Sequence, residues 1–65
     1  MNLIDLRKEK GLTQFEIAER AGVPQQFYNY IENGRRRPSV SVAKKIAAVL
    51  GFDWTEFYDD DGESA

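Results

Sequence analysis

The segment Thr13–Gly34 most constrains the fold, because a helix start, a helix end and a second helix start follow one another closely. Thr13 and Glu16 form the T-x-x-E pattern of a capping box, which predicts a helix beginning at the residue after the threonine. Gly22 ends that helix, since the turn needs a positive φ that glycine adopts at little cost. Pro24 then favours a new helix, because a residue in a first turn needs no backbone N–H. Two short helices joined by a tight turn are therefore predicted.

The rest of the chain predicts three further helices with short connections. Asn2 caps a first helix, which ends at Gly11. Ser39 caps a fourth helix, whose apolar residues recur at three- and four-residue steps until the next glycine. Asp53 and Glu56 repeat the capping-box spacing and predict a short fifth helix. Since no segment alternates as a strand does, the predicted fold class is all-α, a compact domain of five helices.

Composition limits the chemistry available to the chain. Its 65 residues leave no room for a second core, and it contains neither cysteine nor histidine. Disulfides, zinc–thiolate sites and the commonest general base are thereby excluded. No apolar run approaches the roughly 20 residues that a membrane span needs. We therefore expect a cytoplasmic protein that is not an enzyme and has no cofactor, metal, small-molecule ligand or membrane partner.

Charge is unevenly distributed along the chain, although the formal net charge is only −2. Residues 1–52 hold nine basic and five acidic side chains, a balance of +4, with a basic focus at Arg35–Arg37. Residues 53–65 hold six acidic side chains and no basic one, a balance of −6. The distribution predicts a mildly basic helical domain over residues 1–58 and an acidic, disordered tail over 59–65.

The predicted third helix, at about residues 25–32, carries three amide side chains near its start, Gln25, Gln26 and Asn29. One amide can donate to and accept from adenine at once, so clustered amides suit the floor of a DNA major groove. On a helix these three positions lie within about one face. The competing interpretation, which fits any lone glutamine, is that they are solvated residues on an outer helix surface.

Six short motifs stand along the chain. They are LR at Leu6–Arg7, GLTQ at Gly11–Gln14, IAERAGV at Ile17–Val23, IENG at Ile31–Gly34, RPS at Arg37–Ser39 and VLG at Val49–Gly51. In this order and spacing they resemble the phage-repressor and Cro type of helix-turn-helix domain, the Xre family. The resemblance covers about residues 3–58. It implies a lambda-repressor-like fold in which helices 2 and 3 form the DNA-binding unit, and a homodimer that binds a palindromic operator.

The resemblance also implies roles for individual residues. Gln25, Gln26 and Asn29 match the positions that read base edges in the family. Arg7 and Glu32 match an ion pair that joins helix 1 to the end of helix 3, a structural role. Backbone or mixed DNA contacts are implied for Gln14, Phe27, Tyr30, Arg35, Arg36 and Arg37.

Aromatic residues around this surface leave alternatives open. Phe27 suits a thymine methyl or the sugar-phosphate backbone, and Tyr30 suits a phosphate, but both also suit packing against a neighbouring helix. Phe15 departs from the family pattern, which is polar there, and could contact DNA, a partner subunit or its own helix. Tyr28 stands where the family has an aliphatic core residue. We expect its ring to be buried and its hydroxyl to find a partner at the edge of the core.

The predicted function is that of a repressor-like transcriptional regulator, which binds double-stranded DNA sequence-specifically as a homodimer. Its recognition helix, at about residues 25–32, would lie in the major groove. The alternative is a protein-interaction module, such as an antitoxin-like or adaptor domain, whose main partner is a protein. The acidic tail and the aromatic residues Trp54, Phe57 and Tyr58 support that alternative.

Overall fold

The computed structural model describes residues 2–58, and every regular element in that range is a helix. The elements are α1 (Leu3–Glu9), α2 (Gln14–Ala21), α3 (Gln25–Glu32), α4 (Val40–Leu50) and a 3-10 helix (Trp54–Tyr58). The all-α prediction is confirmed, with the fifth predicted helix present as a 3-10 helix. The predicted disordered tail, 59–65, lies outside the described residues.

Local hydrogen bonds explain where α2 begins and ends. The Thr13 hydroxyl accepts from the Glu16 backbone N–H at 3.1 Å, and the Glu16 carboxylate accepts from the Thr13 N–H at 2.9 Å. These bonds form the predicted capping box, and the bond from the Thr13 N–H lowers the pKa of Glu16. At the other end Gly22 adopts φ +73°, and the Val23 N–H donates to Ala18 O at 3.0 Å. The chain therefore turns between α2 and α3 within three residues and enters α3 through Pro24, its N-cap.

The predicted capping box at the fifth helix is wrong. The Asp53 carboxylate accepts from the Thr55 backbone N–H at 3.0 Å and from the Thr55 hydroxyl at 2.8 Å. It is the Asp53 carbonyl that accepts from the Glu56 N–H, at 2.9 Å. Asp53 thus forms a tighter local turn that competes with an α-helical start, and the five residues that follow are wound as a 3-10 helix.

One hydrophobic core holds these elements together. α4 packs on α2 and on the 3-10 helix, and α2 packs on α3. Ile17 of α2, Tyr28 of α3 and Ile46 of α4 meet in this core and are each 0 % exposed. Burying aliphatic side chains of this size contributes roughly 1.5–3 kcal/mol each. The core therefore fixes how α3 sits on α2 and which side of α3 faces outward.

The length of the helices also bears on membranes. The longest described helix, α4, spans 11 residues. Within residues 2–58 there is no helix long and apolar enough to cross a bilayer.

Candidate nucleic-acid interface

The first turn of α3 presents two free amide side chains. Gln25 and Gln26 are exposed, and neither side chain makes a hydrogen bond within residues 2–58. Together with Gln14 and Asn29 they line a shallow depression of about 360 Å³. All four lining side chains are amides, so the depression offers donors and acceptors side by side. The structure thus places the three amides predicted to read bases next to the glutamine predicted to contact phosphate.

Behind the exposed glutamines, Gln14 and Asn29 are partly buried and bonded to each other. The Asn29 Nδ2 donates to the Gln14 Oε1 at 3.2 Å, and the Asn33 Nδ2 donates to the Asn29 Oδ1 at 3.2 Å. The Gln14 Nε2 donates to the Glu32 Oε1 at 2.7 Å. A chain of amides therefore runs from the end of α3 to the first residue of α2, and it ends on one carboxylate.

That carboxylate is paired with Arg7 of α1. The Arg7 Nε donates to the Glu32 Oε2 at 2.8 Å, and a second guanidinium nitrogen donates to Oε1 at 3.3 Å. The Glu32 side chain is only 2 % exposed and that of Arg7 is 15 % exposed. The ion pair joins α1 to the end of α3, at the place that the resemblance implied. Another guanidinium nitrogen donates to the Leu12 carbonyl at 3.1 Å, so Arg7 also holds the loop before α2.

Titration behaviour follows from this arrangement. Burial acts to raise the pKa of Glu32, but the hydrogen bonds from Arg7 and Gln14 outweigh it and lower that pKa below the ordinary glutamate value. The bond to Glu32 raises the pKa of Arg7. Both groups are therefore charged at neutral pH, and the carboxylate is available only as a hydrogen-bond acceptor.

Tyr28 lies beside this pair and differs from expectation in one respect. Its ring is buried as predicted, at 0 % exposure. Its hydroxyl oxygen is also buried, but has no hydrogen-bond partner within residues 2–58. Burial, followed by the nearby Glu32 carboxylate, raises the pKa of Tyr28. The phenol is therefore neutral, and it fills the core beneath the ion pair.

The other aromatic residues predicted near DNA occupy different environments. Phe27 is partly buried and packs against the core, the arrangement that the alternative interpretation expected. Tyr30 is partly buried, and its carbonyl accepts from the Arg35 N–H at 2.8 Å and the Arg36 N–H at 3.3 Å. Phe15, next to Gln14, is 56 % exposed. An exposed phenylalanine thus follows Gln14 in the first turn of α2.

The arginine loop, Arg35–Arg37, follows α3 and is exposed. The bonds to the Tyr30 carbonyl fold its first two residues back on α3. The Arg37 guanidinium lies 5.6 Å from the centre of the Tyr58 ring, and the Tyr58 hydroxyl donates to the Pro38 carbonyl at 2.9 Å. The loop is thereby held between α3 and the 3-10 helix, and its exposed guanidinium groups are chemically suited to bind anions.

Sequence reasoning missed the hydrogen bonds that link these residues. Asn33 was not a candidate, although its spacing of four from Asn29 is the spacing at which helical side chains meet. The bond between Gln14 and Asn29 joins residues 15 apart in sequence and depends on how α2 packs against α3. A helical-face argument applied to α3 alone contains no signal for that bond.

Comparisons with known proteins give a consistent result. A helix-turn-helix family model matches residues 3–57. An uncharacterized HTH-type transcriptional regulator of Bacillus subtilis, YqaF, is 56 % identical over 54 residues, which is 83 % of this chain and 71 % of that protein. The immunity repressor protein of Bacillus phage phi105 is 39 % identical over 46 residues, which is 71 % of this chain and 32 % of that protein.

A solved structure, the SinR protein/SinI protein complex, has a similar fold. It superposes with a TM-score of 0.78 at 33 % sequence identity, covering 97 % of this chain and 62 % of that chain. The HTH-type transcriptional regulator SinR of Bacillus subtilis is also a sequence relative, 44 % identical over 45 residues, which is 68 % of this chain and 40 % of that protein.

Proposed function

This chain belongs to the helix-turn-helix family of DNA-binding transcriptional regulators, and we propose that it represses transcription by binding operator DNA sequence-specifically. In this proposal α3 (Gln25–Glu32) lies in the major groove, and the protein acts on DNA in the cytoplasm. The family is one of regulators and not of enzymes. The repressor role is supported by the similarity to the phage phi105 immunity repressor.

The observation that carries the proposal is the free, exposed amide pair at the start of α3. Gln25 and Gln26 have no intramolecular bonds to give up within the described part of the chain, so each can meet a base edge with both its donor and its acceptor. One well-placed amide–adenine pair contributes about 1–3 kcal/mol of discrimination. Asn29 lies behind this pair in the same depression.

Two flanking elements suit the phosphates on either side of the groove. Gln14 begins α2, where free backbone N–H groups and the helix dipole favour an anion. The exposed arginine loop follows the other end of α3, and guanidinium groups bind phosphate oxygens strongly. Tyr30 and Phe27 lie on α3 between these elements and complete the proposed set of backbone contacts.

A homodimer on a palindromic site is the second part of the proposal. Two copies of α3 would enter successive major grooves about 34–36 Å apart, one turn of DNA. Doubling the contacts compensates for the small surface that one helical domain of this size offers.

The function is tested by selecting bound sites from a random DNA pool. Fluorescence anisotropy then measures affinity for the selected duplex at several salt concentrations. Gln25→Ala and Gln26→Ala should each weaken operator binding while leaving affinity for random DNA nearly intact. Arg36→Ala should weaken binding to all duplexes and reduce the salt slope by about 0.9 for each subunit bound, which is about 1.8 for the homodimer. Selection that enriches no sequence, or amide variants that lose equally on all DNA, would contradict the proposal.

The alternative, a protein-interaction module, is favoured by one observation. The superposed SinR structure is a complex with SinI protein. Partner capture that persists after Gln25→Ala and Gln26→Ala are combined, in a protein without operator preference, would support that alternative.

A further inference from the structure

We propose, resting on the DNA-binding function above, that Asn29 is a positioning residue: it orients Gln14 toward a DNA phosphate, and base discrimination is left to Gln25 and Gln26. The resemblance implied that all three amides on α3 read bases. The hydrogen bonds around Asn29 assign it a different role.

The orientation of the Gln14 amide is set by the Glu32 carboxylate. A carboxylate can only accept hydrogen bonds, so the group that faces Glu32 Oε1 at 2.7 Å must be the Gln14 NH₂. The amide oxygen of Gln14 then faces Asn29, which lies about one turn before Glu32 on the same helix. Arg7 also donates to the Glu32 carboxylate and holds it in place, so the carboxylate in turn fixes the orientation of the Gln14 amide.

Asn29 completes the arrangement. Its Nδ2 donates to the Gln14 Oε1 at 3.2 Å, and its own Oδ1 accepts from the Asn33 Nδ2 at 3.2 Å. Each amide thus donates toward the carboxylate, in the order Asn33, Asn29, Gln14, Glu32. Turning over any one amide would place two oxygens or two NH₂ groups against each other. Gln14 is therefore held from two sides, by Glu32 and by Asn29.

Burial separates the two kinds of amide in the depression. Gln25 and Gln26 are exposed, whereas Gln14 and Asn29 are partly buried. Bidentate reading of adenine uses both the oxygen and the NH₂ of an amide, and in Asn29 both groups already have partners inside the protein. The second N–H of the Gln14 amide is used by no bond within residues 2–58 and remains available for a phosphate oxygen beside the start of α2.

The two roles predict different binding patterns for Asn29→Ala. If Asn29 is a positioning residue, the variant should lose about 2- to 10-fold in affinity per bound subunit on every duplex, which corresponds to one net hydrogen bond in each copy, with base preferences unchanged. It should also lose nothing further when Gln14→Ala is already present, since it acts through Gln14. If Asn29 instead reads a base, the variant should lose its preference at one base pair. The fold-losses in affinity of Asn29→Ala and Gln14→Ala should then multiply in the double variant. Either of these latter results overturns the proposal.

The experiment measures affinities of the wild type, Asn29→Ala, Gln14→Ala and the double variant for the selected operator. A panel of duplexes with single base-pair changes and a random duplex complete the set. Gln25→Ala is the matched control, because it should flatten preference at a base pair. Asn33→Ala, which contacts Asn29 but not Gln14, should have a smaller effect than Asn29→Ala. Thermal melts verify that each variant is folded.

A second measurement uses the free protein and needs no DNA. In NMR spectra the Gln14 side-chain NH₂ signals should be shifted and slow to exchange in the wild type, and should move toward free-amide values in Asn29→Ala. Unchanged Gln14 signals would overturn the positioning role. If the wild type shows no preference among duplexes, the proposed function fails, while the NMR result still decides whether Asn29 positions Gln14.

Discussion

The Glu32 carboxylate accepts hydrogen bonds from Arg7 of α1 and Gln14 of α2, so three helices meet at one residue. Almost fully buried charges are tolerated only when they are paired and their remaining lone pairs are bonded. The pair also borders the Tyr28 phenol, whose hydroxyl has no hydrogen-bond partner among the described residues. The hydrogen bonds of Glu32 therefore link α1, α2 and α3 in addition to the packing of the core.

Removing the cation should be costly. Arg7→Met keeps the length of the side chain but leaves the 2 % exposed Glu32 carboxylate without its counter-charge. We expect a loss of about 3 kcal/mol and a fall in Tm of roughly 10–20 °C, measured by circular dichroism melts. Lys8→Met is the control on the same helix, since Lys8 is exposed, and it should change stability by less than about 0.5 kcal/mol. Equal effects of the two variants would show that the ion pair does not stabilise the fold.

The lowered pKa of Glu32 predicts how that stability depends on pH. Because the folded pKa lies below the ordinary value of 4.5, the unfolded chain takes up the proton first as the pH falls. The contribution is thus fully present above pH 4.5 and is lost as the pH falls through the folded pKa. Melts of wild type and Glu32→Gln should differ most at neutral pH and converge in acid. Lowered pKa values at Glu16 and Asp53 are common to both proteins and cancel. A difference that is constant with pH would contradict this assignment.

Whether a feature of the site could be predicted depended on how far apart in sequence the residues that form it are. Gln25 and Gln26 were identifiable because amide chemistry and helical position are both local properties. The Arg7–Glu32 contact followed from the family resemblance alone, since nothing local links residues 25 apart. The bond from Asn29 to Gln14 was missed, because both side chains were predicted to point outward, toward DNA. Only the packing of α2 on α3 shows that they face each other.

At the scale of elements, helix boundaries were predictable where a side chain and a backbone group three residues apart bond each other. The starts of α2 and α4 follow from Thr13 and Ser39, each of which accepts from the backbone N–H three residues on. The fifth helix was predicted from the same spacing and differed, because Thr55 competes for the Asp53 carboxylate. The spacing of Asp53 and Glu56 gives no information about a residue between them that bonds the same carboxylate.

The turn between α2 and α3 offers a test at this scale. Gly22 has φ +73°, and a Cβ added there would meet no atom within 4 Å, so substitution costs conformational energy alone. Gly22→Ala should destabilise by about 1–2 kcal/mol. Gly22→Asn should cost less, since asparagine tolerates left-handed φ better than alanine does. Circular dichroism melts measure both. An asparagine variant as unstable as the alanine variant would point to a contact at this turn instead of φ.

At the scale of the whole molecule, charge separation should govern affinity for DNA. Deleting residues 59–65 removes four carboxylates and changes the formal net charge from −2 to +2. We expect DNA binding to tighten by roughly threefold or more at about 0.05 M salt, and the gain to shrink as salt screens the charges. Fluorescence anisotropy at increasing salt measures this.

A neutral version of the same segment separates charge from chain length. Replacing Asp59, Asp60 and Asp61 with Asn, and Glu63 with Gln, keeps all 65 residues. This protein should bind DNA as tightly as the deletion variant. Wild-type affinity in the neutral protein would attribute the effect to the presence of the segment and not to its carboxylates.

The Tyr58 hydroxyl bond to the Pro38 carbonyl, with the Arg37 guanidinium 5.6 Å from the same ring, has a practical consequence for protein engineering. A shortened version of this protein must therefore keep Tyr58 in order to keep both contacts. A fragment that ends at residue 57 would retain all four α-helices, but the arginine loop would lose its contacts with Tyr58. Such a fragment would have a normal helical circular dichroism spectrum and would still bind the DNA backbone more weakly.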